Sequence, residues 1–565
     1  MQVRASAPER HLEPPSWRAR RSRYWLIDKF PAIATVRELG PRLRWLEPAA
    51  WTLGALLAFV CYLRISRTLA TNSDGASQAL QAWDMLHGNL VLHGWQLSDV
   101  SFYTTELPEY MLVELLRGLN ADVVHVASAM TYTMAVVLAA LLARSTATGR
   151  AALARVLVTA GIMIAPQLAP GVFIVMSSPD HFGTSVPVLV VWLILDRAWP
   201  RWYVPVLAAV LLAWAVVADP LVLLIGVLPL AIVSAARLYQ AVVIERHPLK
   251  RQRYDLALLA AAVTAAAAAD VASKILRASG GYFLHPPPVQ FLTDVQLIPR
   301  SLSVTGEGLL VLGGADFLGH QLSLGTVVLL LHLGGVILAG LGTWVAAKRF
   351  FRDRNLVDQL LVVAIAANLA AYIVSTRAYG IAGTREIAPV LPFAAALAGR
   401  LLAERILAAR LAPALIVVLA GYLAGLSYSV VQPPAPIQDQ QLISWLTARH
   451  LTSGLGGYWQ SNDVTLATSN RIRIRSLSFA AAHGLPTGEP GPNAKLVPTV
   501  WDTNLQWYDP RTQSANFIIL GGPPGSARFA DKSLVLATFG PPARSSHVGT
   551  YEVLVWNKNL LADLP

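Results

Sequence analysis

The sequence predicts a polytopic α-helical membrane protein that carries a β-rich (α+β) domain outside the membrane at its C-terminal end. Of its 565 residues, 55% are hydrophobic and only 14% are charged, and the mean hydropathy is +0.49. This composition is typical of membrane proteins and not of soluble globular proteins. The chain after Val431 differs from the rest, because short β-rich runs and turn dipeptides replace the long apolar runs.

Residues 1–47 are polar and rich in arginine and proline, which is typical of a cytoplasmic tail and not of a signal peptide. The single cysteine, Cys61, excludes a disulfide framework within one chain, so an external domain must fold by packing alone. The sequence has no Walker motif, which argues against an ATP-driven pump. The net charge of +12 is distributed between the apolar runs and not concentrated in one patch, so we expect no nucleic acid partner.

The region 48–431 is predicted to be a transmembrane module. A membrane-spanning helix needs about 20 predominantly apolar residues, and eleven runs meet or approach this length. They are Pro48–Ile65, Val123–Leu142, Val156–Met176, Phe182–Leu195, Val204–Ala218, Leu221–Ala236, Leu256–Val271, Leu324–Ala346, Val357–Val374, Ile387–Leu402 and Ala412–Val431.

The distribution of basic residues predicts the orientation of these spans. With the N-terminus in the cytoplasm, the inner loops carry 17 lysines and arginines and the outer loops between spans carry 7. An excess of positive charge on the cytoplasmic side is the general rule for membrane proteins. The loops 66–122 and 272–323 and the domain 432–565 are therefore expected outside the membrane.

The domain 432–565 is predicted to be built mainly from strands. Short alternating or β-rich runs occur at Val464–Thr468, Ile472–Leu477, Phe517–Leu520, Leu534–Phe539 and Tyr551–Trp556. The arginines at 471, 473 and 475 alternate with isoleucines, so all three are expected on one face of a strand. Such a row of charge favours a solvated edge strand.

The segment Asn72–Asn89 in the first outer loop is the main candidate for chemistry. Asn72 or Ser73 can cap a helix whose first turn contains Asp74, and the unpaired N–H groups of that turn favour the charged carboxylate. Gln78 and Gln81 follow on the same helix face. The alternative interpretation is a solvated amphipathic connector.

Further polar residues lie at the outer ends of other spans. Asp180 and His181 join the third and fourth spans, and Asp219 joins the fifth and sixth. Arg377 and Arg385 lie between the ninth and tenth. Ionisable residues at membrane depth suggest a functional site, although turn chemistry also accounts for Asp next to Pro.

Three stretches of the sequence resemble the GT-C glycosyltransferases, which are polytopic enzymes that include protein mannosyltransferases and lipid A aminoarabinose transferases. Asp74–Asn89 is similar to their first outer loop, Glu106–Tyr110 to a proline-containing element of that loop, and Arg385–Pro392 to a late Arg-Tyr-x-x-Pro-x-x-Pro element. Gly75 follows Asp74 where the family often has a second acid, and Glu386 replaces the usual tyrosine. As architecture, the resemblance covers about the first 430 residues.

The resemblance implies a membrane glycosyltransferase in a bacterial inner membrane. It would move a sugar from a polyprenyl-phosphate-linked donor to an envelope glycan, lipid or protein acceptor on the extracytoplasmic face. Asp74 would be the general base for the acceptor hydroxyl, and Arg377 and Arg385 would bind the lipid phosphate. The residues expected to bind substrate are Gln78, Gln81, Asp84, Glu106, Asp180, His181 and Tyr379.

The residues identify no certain cofactor. If a divalent cation takes part, Asp74, Asp180 and His181 would be its ligands, although so few residues make a weak metal signal. Two other functions stay open from the sequence alone. A transporter or flippase of lipid-linked glycans should have paired broken helices in similar halves, and a non-catalytic envelope scaffold would give Asp74 no role.

Overall fold

The computed structural model describes residues 46–164, 170–198, 200–286, 289–321, 323–479, 495–522 and 532–565. By compactness the chain divides into residues 1–51 and 52–565. Of the first unit only residues 46–51, the start of the first helix, are described, so the predicted tail 1–47 lies outside the described residues except for its last two. Apart from the start of that helix, all of the described residues belong to the second unit.

The chain forms helices in the order that the apolar runs predict. The first part contains α1 (Leu46–Ser66), α2 (Ser73–Leu86), β1 (Trp95–Leu97), α3 (Glu106–Arg117), α4 (Asp122–Arg144), α5 (Gly149–Met163), α6 (Gly171–Met176), α7 (Asp180–Gly183), α8 (Ser185–Arg197) and α9 (Tyr203–Ala218). The second part contains α10 (Leu228–Tyr239), α11 (Arg253–Ala278), β2 (Phe283–Leu284), α12 (Ile298–Leu312), α13 (Leu324–Lys348), α14 (Leu356–Ile373), α15 (Val390–Ala408) and α16 (Ala412–Val430).

Among the described residues, seven helices are long and apolar enough to cross a membrane. They are Leu46–Ser66, Asp122–Arg144, Leu223–Ile244, Leu249–Ala278, Gly325–Lys348, Leu356–Ile373 and Ala412–Val430. An eighth crossing is formed if Ile381–Ile387 and Val390–Ala408, which are bent by 55° relative to each other, act as one broken span. The remaining three predicted spans coincide with the shorter helices α5, α8 and α9, and residues 165–169 of the third lie outside the described residues.

The C-terminal part is a mixed sheet with helices. It contains α17 (Gln440–Ala448), β3 (Ser453–Gly456), α18 (Tyr458–Ala467), β4 (Arg473–Phe479), β5 (Leu496–Pro498), β6 (Thr503–Asn504), β7 (Phe517–Gly521), α19 (Lys532–Phe539), β8 (Arg544–Val548) and β9 (Tyr551–Val555). Six strands pair in the order β5-β4-β3-β7-β9-β8. Alternate residues of β7 belong to two different hydrophobic cores, so both faces of the sheet are covered.

Two of the five predicted strands are wrong. Val464–Thr468 belongs to α18 and its end, and Leu534–Phe539 to α19. A short apolar run has no periodicity that separates a strand from a helix, and α18 is buried almost all round because it lies between the sheet and α2. The other three strands are confirmed.

The predicted edge strand is also wrong. The strand β4 lies between β5 and β3 and is not an edge. Arg473 is exposed, but Arg475 is buried, with its guanidinium carbon 3.8 Å from the centre of the Trp507 ring. Arg471 precedes the strand. The charged row therefore does not form one solvated face.

A second, smaller sheet joins three segments that the sequence predicts to lie outside the membrane. Its strand order is β2-β1-β6, so it combines the loop 66–122, the loop 272–323 and the C-terminal domain. β1 pairs with β6 in antiparallel register, with Trp95 opposite Asn504 and Gln96 opposite Thr503. This pairing fixes the C-terminal domain against the loop that carries α2.

Candidate functional site

The start of α2 is built as the sequence predicts, but its polar face is not solvated. Asn72 is the N-cap, because its side chain accepts a hydrogen bond of 2.8 Å from the Gly75 N–H, and Asp74 lies in the first turn. The Ser73 hydroxyl donates to the Tyr458 carbonyl (2.5 Å) and the Ser77 hydroxyl to the Asp502 carbonyl (3.1 Å). The C-terminal domain thus covers the beginning of α2.

The Asp74 carboxylate lies where three segments distant in the chain meet. The Tyr458 hydroxyl donates to Asp74 Oδ1 at 2.7 Å, and Arg385 Nη1 is 3.5 Å from Asp74 Oδ2. The same Arg385 nitrogen is 3.8 Å from Asp180 Oδ2. We call Asp74, Asp180, Arg385 and Tyr458 the Asp74 cluster.

Asp180 is held in the cluster by the residues around it. The Ser178 hydroxyl donates to its Oδ2 at 2.7 Å, and Gln78 Nε2 donates to its Oδ1 at 3.2 Å. Its backbone has φ of 39°, a conformation that is uncommon outside glycine. Backbone strain of this kind is concentrated at functional sites, so the conformation agrees with a site at Asp180.

Burial controls the charge of Asp74. It raises the pKa of the Asp74 carboxyl, Arg385 acts in the opposite direction, and the negative charge of Asp180 raises the pKa further. The hydrogen bond from Tyr458 favours the charged form. The net pKa lies above the usual range of an aspartate, which makes Asp74 a stronger base than a solvated carboxylate.

His181 lies beside the cluster but faces away from Asp74. Its Nδ1 is 2.8 Å from Asp219 Oδ2, and its Nε2 is 3.6 Å from Glu386 Oε2. Burial alone would lower the pKa of His181, but Glu386 and Asp219 outweigh it and raise that pKa to about 10. The imidazole is therefore protonated on both nitrogens at neutral pH and serves as a cation between two carboxylates.

Arg377 belongs to the same neighbouring ion-pair network. It forms an ion pair with Asp99, and its Nε is 3.4 Å from Glu386 Oε1. Tyr379, which lies between Arg377 and Arg385 in the chain, is 54% exposed. Of the two arginines predicted to bind phosphate, the structure brings only Arg385 to Asp74.

Three other predicted substrate residues are not brought to Asp74. Gln81 Nε2 donates to the Ser77 hydroxyl at 3.0 Å. The Asp84 carboxylate accepts from the Trp95 indole N–H (2.8 Å) and from the Asn89 amide (2.7 Å), so it closes the outer loop. Glu106 is hydrogen-bonded to Thr105 and packs against Gly183.

Sequence reasoning missed Tyr458 and Asp502. Asp502 Oδ1 accepts from the Ser98 N–H at 3.1 Å, and its Oδ2 is 3.5 Å from the Tyr458 hydroxyl. Burial and then the charge of Asp74 raise the pKa of Asp502 well above its usual range. Tyr458 is 384 residues from Asp74, so no local spacing could have joined them. The polar run Asp502–Asn504 after Trp501 was the available signal in the sequence for a site residue in the C-terminal domain.

The residues suggested for a divalent cation do not fit that role. Within the described ranges, no group of three or more His, Cys, Asp or Glu side chains is arranged to hold a metal ion. A guanidinium lies between Asp74 and Asp180, and His181 is directed at Asp219 and Glu386. No chemical step below involves a metal.

Comparison with known proteins identifies the fold. No protein-family model matches the chain, and no curated protein matches it. The crystal structure of ArnT from Cupriavidus metallidurans bound to undecaprenyl phosphate superimposes with a TM-score of 0.51 at 14% identity, over 90% of this chain and 97% of ArnT. The chain has the ArnT fold.

Two further solved structures are similar with lower scores. ArnT from the same organism in the apo state gives a TM-score of 0.47 at 13% identity, over 92% of this chain and 99% of that chain. The apo oligosaccharyltransferase of Archaeoglobus fulgidus gives 0.45 at 13% identity, over 85% of this chain and 70% of that chain. The ArnT fold and the seven apolar helices together identify a multi-pass membrane protein, and the predicted polytopic helical fold with a C-terminal β-rich region is confirmed.

Proposed function

We propose that this protein is a membrane glycosyltransferase that moves a sugar from a polyprenyl-phosphate-linked donor to an acceptor in the cell envelope. The observation that carries the proposal is the pair formed by Asp74, a partly buried carboxyl with a raised pKa, and Arg385, whose guanidinium is 3.5 Å away. A base and a phosphate-binding cation are then close enough to act on one donor–acceptor pair. The ArnT structure that shares the fold contains undecaprenyl phosphate, which supports a lipid-phosphate donor here.

In this proposal Asp74 is the general base. An acceptor hydroxyl becomes a better nucleophile when a positioned carboxylate takes its proton as the new bond forms. Tyr458 and Arg385 stabilise the ionised form that this role requires, while burial keeps the proton affinity of Asp74 above that of a solvated aspartate. The proton of the acceptor hydroxyl passes to Asp74 as the bond from its oxygen to the anomeric carbon forms.

Arg385 is proposed to bind the leaving lipid phosphate. A phosphate ester anion is a weak base, so its departure needs charge neutralisation more than protonation, and a guanidinium supplies it through paired hydrogen bonds. The Arg385 side chain is 35% exposed and can exchange a carboxylate partner for phosphate. Arg377, which is 21% exposed and paired with two carboxylates, then orients the loop that carries Arg385.

The other predicted residues take two roles in this proposal. Gln78, Asp180 and Tyr379 are next to Arg385 in space or in the chain and are proposed to contact the sugar. Gln81, Asp84, Glu106 and His181 act through their neighbours, since their hydrogen bonds fix α2, the outer loop and α7. If the acceptor oxygen attacks the anomeric carbon from the face opposite the leaving phosphate, the configuration of that carbon is inverted. The cluster is proposed to lie on the extracytoplasmic side of the inner membrane, with the N-terminus in the cytoplasm.

Sugar transfer with purified protein tests the proposal. Polyprenyl-phosphate sugars labelled in the sugar are incubated with an envelope extract and the wild type, Asp74→Asn or Asp294→Asn, a matched acid-to-amide change at an exposed outer-loop residue. We expect transfer by the wild type and Asp294→Asn and a loss of at least about 100-fold in Asp74→Asn, the lower end of a general-base contribution.

Two outcomes contradict different parts of the proposal. Transfer that survives in Asp74→Asn keeps the enzyme class but removes the assignment of the base. If no donor yields product and the protein instead carries labelled lipid-linked sugar across liposome membranes, the protein is a flippase and the transferase proposal is wrong.

A further inference from the structure

A cavity among the helices does not include Asp74. It has a volume of about 280 Å³ and is bounded by α3, α4, α8 and α9. Its walls are apolar, with Met134, Val190, Leu211 and Trp214 among the lining residues. We call it the lateral cavity. Its volume is close to the lower end of ligand pockets, about 300 Å³, so it can hold the end of an apolar chain.

The polar end of the lateral cavity carries two carboxyl groups with unused hydrogen-bonding capacity. Glu106 is only 2% exposed, and both Glu106 and Glu109 line the cavity. Their Oε1 atoms are buried and have no hydrogen-bond partner within the described part of the chain. The Oε2 of Glu109 accepts from the Thr131 hydroxyl at 2.7 Å. The described lining contains no lysine, arginine or histidine.

The helix that carries these acids has its apolar face outside. Leu112, Leu115 and Leu116 are 51%, 68% and 79% exposed, whereas Glu106 and Glu114 are each 2% exposed. A helix with such an outer face lies in the surface of a bilayer. Met134 and Trp214 of the cavity wall are themselves 39% and 54% exposed on helices α4 and α9. The lateral cavity is therefore reached from the lipid.

We propose that the lateral cavity binds a membrane amphiphile by its ammonium head, with the adjoining part of the apolar chain along the cavity walls. A buried cation needs an anionic, hydrogen-bonding partner, and the oxygens of Glu106 and Glu109 supply it. A phosphate head would find no cation in the described lining, and the carboxyls would repel it wherever they are ionised. A neutral alcohol can use one oxygen but gains no ion pair. The proposal shares Glu106 with the proposed glycosyltransferase, but binding in the lateral cavity can be measured without sugar transfer.

Proton release provides a separate signature of an ammonium ligand. Burial raises the pKa of Glu109 to about 8, although the Thr131 hydrogen bond acts against it. Glu106 on the same helix has its pKa raised well above the usual range by burial and then by Asp219 and Glu109. The lining residues from α4, α8 and α9 are not titratable. Because an ammonium requires the carboxylate, its binding expels a proton, and affinity falls about tenfold for each pH unit below about 8.

Photochemical labelling in lipid nanodiscs tests the proposal. The probe is decylamine with a diazirine in its chain, and labelled peptides are identified by mass spectrometry. Unlabelled decylamine, decanol and decyl phosphate compete at equal membrane concentrations. We expect labels on α4 and α9 near Met134 and Trp214, with decylamine competing at least tenfold better than decanol, decyl phosphate not competing, and labelling that weakens as the pH is lowered from 8 to 6.

The matched variants are Glu109→Gln and Glu114→Gln. Both glutamates lie on α3, and burial raises both pKa values, that of Glu114 to about 9, but Glu114 does not line the cavity. Glu109→Gln should reduce the preference for decylamine over decanol at least tenfold, and Glu114→Gln should leave this preference unchanged. Val190→Phe should abolish labelling because its side chain fills the cavity. The proposal is overturned if decanol competes as well as decylamine, if Glu109→Gln keeps the preference, or if the labels lie elsewhere.

Discussion

A single hydroxyl group connects the C-terminal domain to the proposed base. Tyr458 donates to Asp74 at 2.7 Å and is itself buried. A carboxylate that accepts a hydrogen bond has its charged form stabilised, so Tyr458 opposes the effect of burial on the Asp74 pKa. Together with the charges of Arg385 and Asp180, burial and this hydrogen bond set the pH at which Asp74 can accept a proton.

We expect Tyr458→Phe to move the acidic limb of the pH–rate profile to higher pH. The variant loses a hydrogen bond that stabilises the charged carboxylate, so the pKa of Asp74 rises further above its usual range. A base must be ionised to act, so activity falls at each pH below the new pKa and recovers above it. The measurement is kcat/KM for sugar transfer between pH 5 and 9.

The control for this prediction is Tyr508→Phe. The Tyr508 hydroxyl is also buried in the C-terminal domain and donates to the Ser476 carbonyl, away from Asp74. Its removal should leave the position of the acidic limb unchanged. A Tyr458→Phe profile that drops uniformly with no displacement would mean that Tyr458 does not act through the charge of Asp74.

Of the Asp74 cluster, only the residues near the ends of apolar runs could be predicted from the sequence. Asp74, Asp180 and Arg385 each follow or precede such a run, so their common side of the membrane could be predicted. Tyr458 lies in a domain whose docking depends on the pairing of β1 with β6, a contact between distant segments. The inward direction of His181 toward Asp219 was not predictable either, because Asp219 has an equally good turn explanation.

The element that places Asp74 is α2, and its position depends on Gly75. A Cβ at this residue would lie 2.8 Å from Val124 Cγ1 and 3.2 Å from Ser178 Cβ, so α2 packs closely on α4 and on the turn that precedes Asp180. The second acid that GT-C proteins often carry beside the first has no space here. Gly75 thus sets the separation between the Asp74 and Asp180 carboxylates.

We expect Gly75→Ala to lower both stability and transfer activity. Alanine is favoured over glycine in a helix by about 1 kcal/mol, but overpacking costs about 1–3 kcal/mol, and the adjustment displaces Asp74 from Arg385. Gly306→Ala in α12 is the control, since Gly306 is exposed and a Cβ there meets nothing within 4 Å. Thermal unfolding in detergent should give a lower Tm for Gly75→Ala and an equal or higher Tm for Gly306→Ala. A gain in Tm at Gly75 would contradict the close packing of α2.

Long elements were more predictable from the sequence than short ones. The apolar runs correspond to helices within the described residues because a run of 15 or more apolar residues has few alternatives. Val464–Thr468 and Leu534–Phe539 have β-branched or apolar residues at high density, but packing against the sheet decides their helical state. Burial of Arg475 on Trp507 likewise depends on the neighbours of β4 and not on its own alternation.

At the scale of the whole molecule, the C-terminal domain is part of the proposed site and not an appendage. Ser73, Ser77 and Ser98 each bond to backbone or side-chain oxygens of Tyr458 or Asp502. These contacts, with the β1–β6 pairing, hold the domain on the first outer loop. A substrate must then enter between the membrane helices and the domain or displace the domain.

We expect the protein to remain active when the domain is locked in place. Gln96 and Thr503 are opposed in antiparallel strands, where Cα atoms are about 4.5–5.5 Å apart, inside the range of about 4.4–6.8 Å that a disulfide spans. In a Cys61→Ala background, Gln96→Cys with Thr503→Cys should form a disulfide on oxidation and retain at least half of the transfer activity of the reduced form. Since Tyr458 and Arg385 already contact Asp74, catalysis requires no further movement of the domain.

The control pair is Arg544→Cys with Val555→Cys. These two residues are opposite each other in β8 and β9, so their disulfide cross-links the domain only to itself. The opposite result would be a loss of more than tenfold on oxidation of the first pair, with activity restored by reduction and the control pair unaffected. It would mean that the domain must leave α2 in each catalytic cycle and that the contact between Tyr458 and Asp74 belongs to a resting state.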